Sequence, residues 1–374
     1  MSDTELSRIR GFDGLRAVAV TGVFLEHHVI HGMGLGGLGV WLFFALSGYL
    51  IIRILHNQRL QVEKGGSTVG AELVRFWRRR ALRIFPLYYL VLGVIAVWLL
   101  SRGERFSDTG LLWYIAYLSN FLISFGNQNW SDYSHLWSLS VEQQFYTLAA
   151  PALLLVAIAL HARLLWLVLG FACLSLLLQS LLMDDATPIS LMPMQNFGLM
   201  AIGGLIALEG HHLKWSPRAW NMMLLVALAC GVLVLAMTRY GNNALPAFAA
   251  AKYLPAYIFA FGVIGFVSLN QRHWIASLLS LRWIAYLGTI SYGFYVFHYF
   301  APSHAVLSRL IPLPELPQAV LNNWFVVQYA LTLAVSAASW HLLEKPLLQL
   351  RGDRVGKSPN PLHSRASRLP QTGG

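Results

Sequence analysis

Residues 38–55 read LGVWLFFALSGYLIIRIL, and Arg53 is the only charge in the run. A membrane-spanning helix needs roughly 20 mainly apolar residues, so this stretch is one crossing. Nine more segments repeat the pattern, at 13–31, 84–101, 139–160, 162–183, 193–209, 218–237, 250–269, 283–302 and 324–344. A weaker eleventh lies at 110–126. Composition agrees: of 374 residues, 56% are hydrophobic and 11% charged, with a mean hydropathy of +0.55. Soluble domains carry about 25% charged residues, so both a soluble globule and a disordered chain are excluded. The expected fold class is all-α, a polytopic membrane helical bundle of about ten transmembrane helices plus one re-entrant or interfacial helix.

The net charge of +11 sits between apolar segments, where it orients a chain in a membrane rather than holding nucleic acid. Basic residues crowd the loop 53–83, the loop with Lys214 and Arg218, the loop with Arg272 and Arg282, and the stretch after 344. Placing all four in the cytoplasm puts both termini inside. The parity of crossings then forbids a single full span at 110–126, so this segment reads as re-entrant or surface-lying. Arg102 and Arg105 fall outside and break the charge rule. The domain division is 1–350 for the membrane domain and 351–374 for a basic, disordered cytoplasmic tail. The terminal LPQTGG resembles a sortase recognition sequence without the apolar stretch that should follow, and is set aside from the fold. Cys173 and Cys230 lie in apolar runs and form neither a metal spacing nor a disulfide framework.

Ionisable residues inside a membrane helix are costly and mark function by default. Arg16 and His27 are eleven residues apart, which returns to within about 20° of the same helix face and spans roughly 16 Å of depth. His28 is turned about 100° away, toward a different neighbour. The bland reading makes Arg16 an anchor and His27 a satisfied core histidine. His27 and His31 stand at i and i+4 but lack a third ligand, so no metal is assigned. The topology brings His135, Ser138, Ser140 and Glu142 to the outer side, with Ser291 and Tyr292 at mid-membrane and His298 near the outer end. Glu142 is the natural partner for a histidine in acid–base work. On the inner side Arg78, Arg79, Arg80 and Arg83 open a helix, and Arg80 and Arg83 share a face suited to a phosphate-bearing ligand. A stop-transfer anchor is the plainer reading of that cluster alone.

Six stretches together resemble the membrane acyltransferase-3 family: GFDGLRAVAVTGVFLEHH (11–28), GVWLFFALSGYLI (39–51), RRRALRIFPLYY (78–89), HLWSLSVEQQFY (135–146), GTISYGFYVFHY (288–299) and LLEKPL (342–347). The resemblance implies an O-acyltransferase that moves an acyl group, usually acetyl, from cytoplasmic acyl-CoA. The acceptor is a hydroxyl of a sugar or glycan, commonly at a bacterial cytoplasmic (inner) membrane. It implies His27 as the catalytic histidine, Arg16 as its partner and Glu142 as the glutamate that closes the Ser-Leu-Ser-Val-Glu stretch at 138–142. Arg78, Arg80 and Arg83, with Arg16, are implied to hold the CoA phosphates. His135, Ser138, Ser291, Tyr292 and His298 are the acceptor-binding candidates. The expected mechanism has Glu142 orienting His27, with acyl-CoA as co-substrate and no tightly bound cofactor. Trp41 replaces an Asp common in relatives, Gln143 replaces a second acid, and Met-Gln-Asn at 194–196 replaces an Arg. The rival is a transporter or flippase of a lipid-linked saccharide, which also buries His, Glu and Arg. No internal repeat supports it.

Overall fold

The computed structural model describes residues 9–105, 108–126, 130–310 and 317–349. The tail 351–374 and its LPQTGG end lie outside them. Helix α1 (Phe12–His28) leads into α2 (Leu35–Glu63) and α3 (Val69–Ser101). Two short helices follow, α4 (Leu111–Ile115) and α5 (Ser119–Phe125), then α6 (Trp137–Leu155) and α7 (His161–Leu182). The chain continues through α8 (Pro193–Glu209), α9 (Pro217–Tyr240) and α10 (Tyr253–Leu269). It ends with the broken pair α11 (Arg282–Thr289) and α12 (Ser291–Phe297), followed by α13 (Trp324–Ser339). The described residues contain no strand.

Seven helical stretches of the described residues are long and apolar enough to cross a membrane: Leu35–Glu63, Val69–Ser101, Ile158–Leu182, Thr187–His212, Pro217–Tyr240, Pro246–Leu269 and Trp324–Gln349. The chain is an integral membrane protein. The other three expected crossings are helical but weaker as spans. Helix α1 has 17 residues, α6 opens on Ser138, Ser140, Glu142, Gln143 and Gln144, and the 283–302 segment breaks at Ile290. These three segments carry most of the polar residues of the site: polarity lowers the hydropathy of α6, whereas α1 and the broken pair α11 and α12 fall short in length. The 110–126 segment is likewise no single span. It breaks at Tyr117, whose φ of 56° ends α4 and redirects the chain into α5.

The expected loop 53–83 is mostly helix. Helix α2 runs on to Glu63, where Arg59 pairs with the carboxylate at 3.2 Å, and α3 begins at Val69 with the Thr68 hydroxyl accepting from the Ala71 amide. An i,i+4 ion pair and an N-cap let the helices outgrow their apolar cores, leaving a short turn. Arg80 and Arg83 therefore sit three and four turns inside α3, rather than at its start.

Helices α2 and α8 form the centre, with 72% and 78% of their most apolar 18 residues buried, against 17% on α7 and α9 and 11% on α13. Their crossing depends on Gly48 and Gly203. A Cβ on Gly48 would collide with the Met200 carbonyl, and one on Gly203 with the Ala45 carbonyl. Small residues let membrane helices approach backbone to backbone, where dispersion and not water drives association. Helix α1 packs on one side of α2 and α6 on another. Glu26, near the end of α1, accepts from the Gly32 and Leu35 amides at 2.7 and 2.8 Å, so it closes the turn into α2.

Candidate active site

The site has two ends. At one, Arg16 from α1 and Arg80 and Arg83 from α3 line a cavity of about 90 Å³. Val40, Phe43 and Phe44 of α2 and Leu139 of α6 supply apolar walls. Arg16 is held by Asp13 one turn earlier, Nη1 to Oδ1 at 2.9 Å. The Arg80 guanidinium lies 5.9 Å from the ring centres of both Phe76 and Tyr146, within cation–π range. The i,i+3 spacing puts Arg80 and Arg83 on one face. Arg78 is exposed and is not among the residues lining this cavity.

Glu142 belongs to this end too. Its carboxylate accepts from the Ser47 and Tyr146 hydroxyls and faces the arginine-lined cavity. The contact expected from Glu142 to His27 is not formed. Helix α6 starts at Trp137, level with the histidines, so Glu142 lies more than a turn deeper, about 8 Å along the axis. Ser291 and Tyr292 also line the arginine cavity, and the Tyr292 hydroxyl donates to the Ile84 carbonyl at 2.7 Å.

The other end is a histidine cluster. His27 Nδ1 lies 3.0 Å from His298 Nε2, and His298 Nδ1 lies 2.6 Å from the Tyr295 carbonyl oxygen. A carbonyl only accepts, so His298 carries its proton on Nδ1 and presents a bare Nε2. His27 must then donate from Nδ1, which leaves its Nε2 with a free lone pair. The hydrogen-bond chain thus selects the basic tautomer of His27. His28 Nε2 donates to the His298 carbonyl at 2.9 Å. His27 and His28 therefore both meet His298, because the turn at 298–300 wraps the end of α1 instead of touching one face. His135 donates from Nε2 to the Val296 carbonyl at 3.1 Å, and its ring stacks on Tyr299. Its Nδ1 is buried without a partner. His135 and His298 are buried, whereas His27 is half-buried.

Ser138 stands between the two ends, one turn below His135, with Oγ 2.7 Å from the Tyr295 hydroxyl. Ser140 faces elsewhere and ties α6 to α5 through Ser119 at 2.8 Å. At 194–196, Gln195 and Asn196 bond to backbone carbonyls near the start of α8 and take a structural part. The described residues hold no cluster of three or more His, Cys, Asp or Glu fit for a metal.

Three residues of the site went unassigned in the sequence. Tyr146 and Tyr295 lie inside the motif stretches, yet tyrosines are common in membrane helices and nothing in the spacing set them apart. Glu344 is the third. A π-helical turn at Trp340–Glu344 after α13 carries it into the bundle, where it is 5% exposed, accepts from Ser339 at 2.9 Å and interacts electrostatically with Arg83. Such turns often mark functional positions. The LLEKPL stretch was its only signal.

Residues 9–341 match the sequence profile of the acyltransferase-3 domain. The chain is 28% identical over 368 residues to the peptidoglycan O-acetyltransferase OatA of Listeria monocytogenes, covering 91% of this chain and 56% of that protein. It is 27% identical over 383 residues to the Bacillus subtilis protein YrhL, named for the same activity, covering 91% and 55% respectively. The O-acetyltransferase OatA of Staphylococcus aureus is 33% identical over 147 residues, 37% of this chain and 23% of that one. The chain spans about half the length of the first two relatives. No solved structure matches it. With the matched region reaching from before Arg16 to the π-helical turn beside Glu344, the chain belongs to the acyltransferase-3 family.

Proposed function

We propose that this protein is a membrane O-acyltransferase that transfers an acetyl group from acyl-CoA to a glycan hydroxyl. The observation that carries the reading is the His27–His298 pair, in which the hydrogen-bond chain leaves His27 Nε2 free as a base. The acetyl group and the glycan acceptor follow from the relatives' names, which specify O-acetyl transfer to peptidoglycan. Acyl-CoA enters at the arginine end, which in this reading faces the cytoplasm of a bacterial cell, with both termini on that side. Arg16, Arg80 and Arg83 attract its phosphates, because guanidinium forks match phosphate oxygens. A cavity of about 90 Å³ is small beside the roughly 300–1,000 Å³ of pockets that enclose drug-sized ligands. It suits the narrow pantetheine arm, with the nucleotide outside it near Arg78 and Arg79.

Transfer then runs as follows. His27 Nε2 takes the proton of the acceptor hydroxyl as its oxygen attacks the thioester carbonyl carbon. The C–S bond breaks, and the proton passes from the imidazolium to the CoA sulphur. His298 stabilises the imidazolium by accepting from Nδ1, the part the sequence had given to Glu142. Glu142 instead balances charge among the arginines and fixes Tyr146 beneath Arg80. An acyl group carried on His27 Nε2 uses the same lone pair, and a burst of CoA release before steady turnover is its signature.

The test is labelled acetyl-CoA supplied to purified protein together with a peptidoglycan fraction, with His27→Ala beside wild type and CoA binding measured separately. Wild type labels the glycan, and the variant does not while still binding CoA. Label transfer by His27→Ala removes His27 from the chemistry. A wild type that neither binds CoA nor labels glycan removes the acyltransferase reading in favour of a carrier.

A further inference from the structure

One hydroxyl pair stands between the arginine-lined cavity and the histidine cluster. Ser138 and Tyr295 both line the cavity, and no histidine among the described residues does. Their oxygens are 2.7 Å apart, and the Tyr295 hydroxyl is 2.6 Å from the His135 carbonyl. The phenol has one O–H, which it donates to the carbonyl, so Ser138 donates to the phenol oxygen. Both side chains are buried, at 5% and 6% exposure, and the pair links α6 to α12. The Tyr295 carbonyl meanwhile receives the His298 Nδ1 proton. One residue thus lines the cavity with its side chain and fixes the partner of His27 with its backbone.

We propose that the Ser138–Tyr295 pair is a gate that decides which nucleophile meets the thioester, with Tyr295 a positioning residue. The proposal rests on the acyl-CoA reading above. A thioester that reaches His27 before an acceptor is seated meets water. Water's oxygen attacks the carbonyl carbon as His27 Nε2 takes its proton. The C–S bond breaks, the CoA sulphur receives the proton, and acetic acid leaves. Only the nucleophile distinguishes this loss from glycan transfer, and water is always the more concentrated one. Keeping water from a reactive group is a recognised use of a closed site. Three features fit the Ser138–Tyr295 contact to that use. It lies between the thioester's side of the site and the base. It joins α6 and α12, which pack little against each other elsewhere. It is made of hydroxyls that bond each other when closed and are free to bond substrate oxygens when open.

The experiment measures CoA release from acetyl-CoA with no acceptor present, using the full chain in lipid nanodiscs. Tyr295→Phe, Ser138→Ala and the double variant Tyr295→Phe/His27→Ala run beside wild type, with CoA affinity measured for each. A hydrogen bond's usual net contribution corresponds to a shift of roughly 2- to 12-fold in an opening equilibrium. Acceptor-free release is expected to rise roughly 2- to 12-fold in Ser138→Ala, which loses one bond, and further in Tyr295→Phe, which loses two. Release is compared at saturating acetyl-CoA, because both residues line the cavity assigned to the pantetheine arm. The double variant returns to background, because the leak runs through His27. A gain of this kind does not come from general loss of folding, and Ser138→Ala carries the test if Tyr295→Phe folds poorly. Unchanged release in both single variants with CoA still bound overturns the gate, as does a raised release that survives His27→Ala. A wild type that binds no CoA overturns the underlying reading instead, and the binding measurement tells the two failures apart.

Discussion

Arg16, Arg80 and Arg83 reach their cavity on long side chains from two helices, and two of them are held by local contacts: Asp13 for Arg16, the Phe76 and Tyr146 rings for Arg80. His27, His135 and His298 come from three separate elements and depend on one another and on nearby carbonyls through contacts of 2.6–3.1 Å. The first arrangement is Coulombic and acts over distance, so it tolerates loss of one member. The second fixes which nitrogen holds which proton, and a single missing acceptor undoes the selection. Binding is thus distributed at one end, and chemistry is concentrated at the other.

Substitutions that separate binding from turnover test that contrast. The largest effect belongs to His27→Ala, which should lower kcat by about 10²–10⁴-fold with CoA affinity unchanged, the usual worth of a positioned base. Loss of CoA binding in this variant would dissolve the division between the two ends. His298→Ala comes next. It removes the acceptor that stabilises the imidazolium, a hydrogen bond to a charged group, so kcat should fall about 10–100-fold at constant KM for acyl-CoA. An unchanged kcat there would make His298 a packing residue only.

Gly203→Val probes what both ends share. Overpacking the α2–α8 crossing should cost about 1–3 kcal/mol, read as a lower midpoint in thermal unfolding in detergent. It should lower active fraction without splitting kcat from KM. Arg83→Ala is expected to raise KM for acyl-CoA by about tenfold, one charge-assisted contact's worth, with kcat nearly intact. Arg83→Lys should recover only part of that loss, because a point charge does not reproduce the guanidinium fork. The smallest effect is Thr68→Ala, which removes the cap of α3 for about 1 kcal/mol of stability and leaves KM unmoved. A shift in KM from this variant would mean that the arginine end is sensitive to the whole register of α3.

The arginine end was largely legible before the structure. Arg16 and His27 share a stripe by helix periodicity alone, and Arg80 and Arg83 share a face by their spacing. Each of these statements needs one helix. The histidine end was legible in its members but not in its bonding. His298 lies 271 residues from His27, and no periodicity relates residues on different helices. Glu142 was set beside His27 because both lie near the outer ends of their helices. Actual depth depends on where α6 begins relative to α1, and packing sets that. Tyr295 lies in a motif stretch but nothing in its spacing sets it apart, since its part follows from facing Ser138.

Apolar run length and the scarcity of charge determined that this chain lies in a membrane as helices, because a backbone in lipid must satisfy its own hydrogen bonds. Helical periodicity determined which polar residues share a stripe. The tertiary structure decided the rest: that α2 and α8 meet backbone to backbone at two glycines, that Glu142 joins the arginines, and that His298 sets the tautomer of His27. A single helix repeats every 3.6 residues and so writes its faces into its own sequence. The relative depth and rotation of two helices are fixed only when their side chains pack.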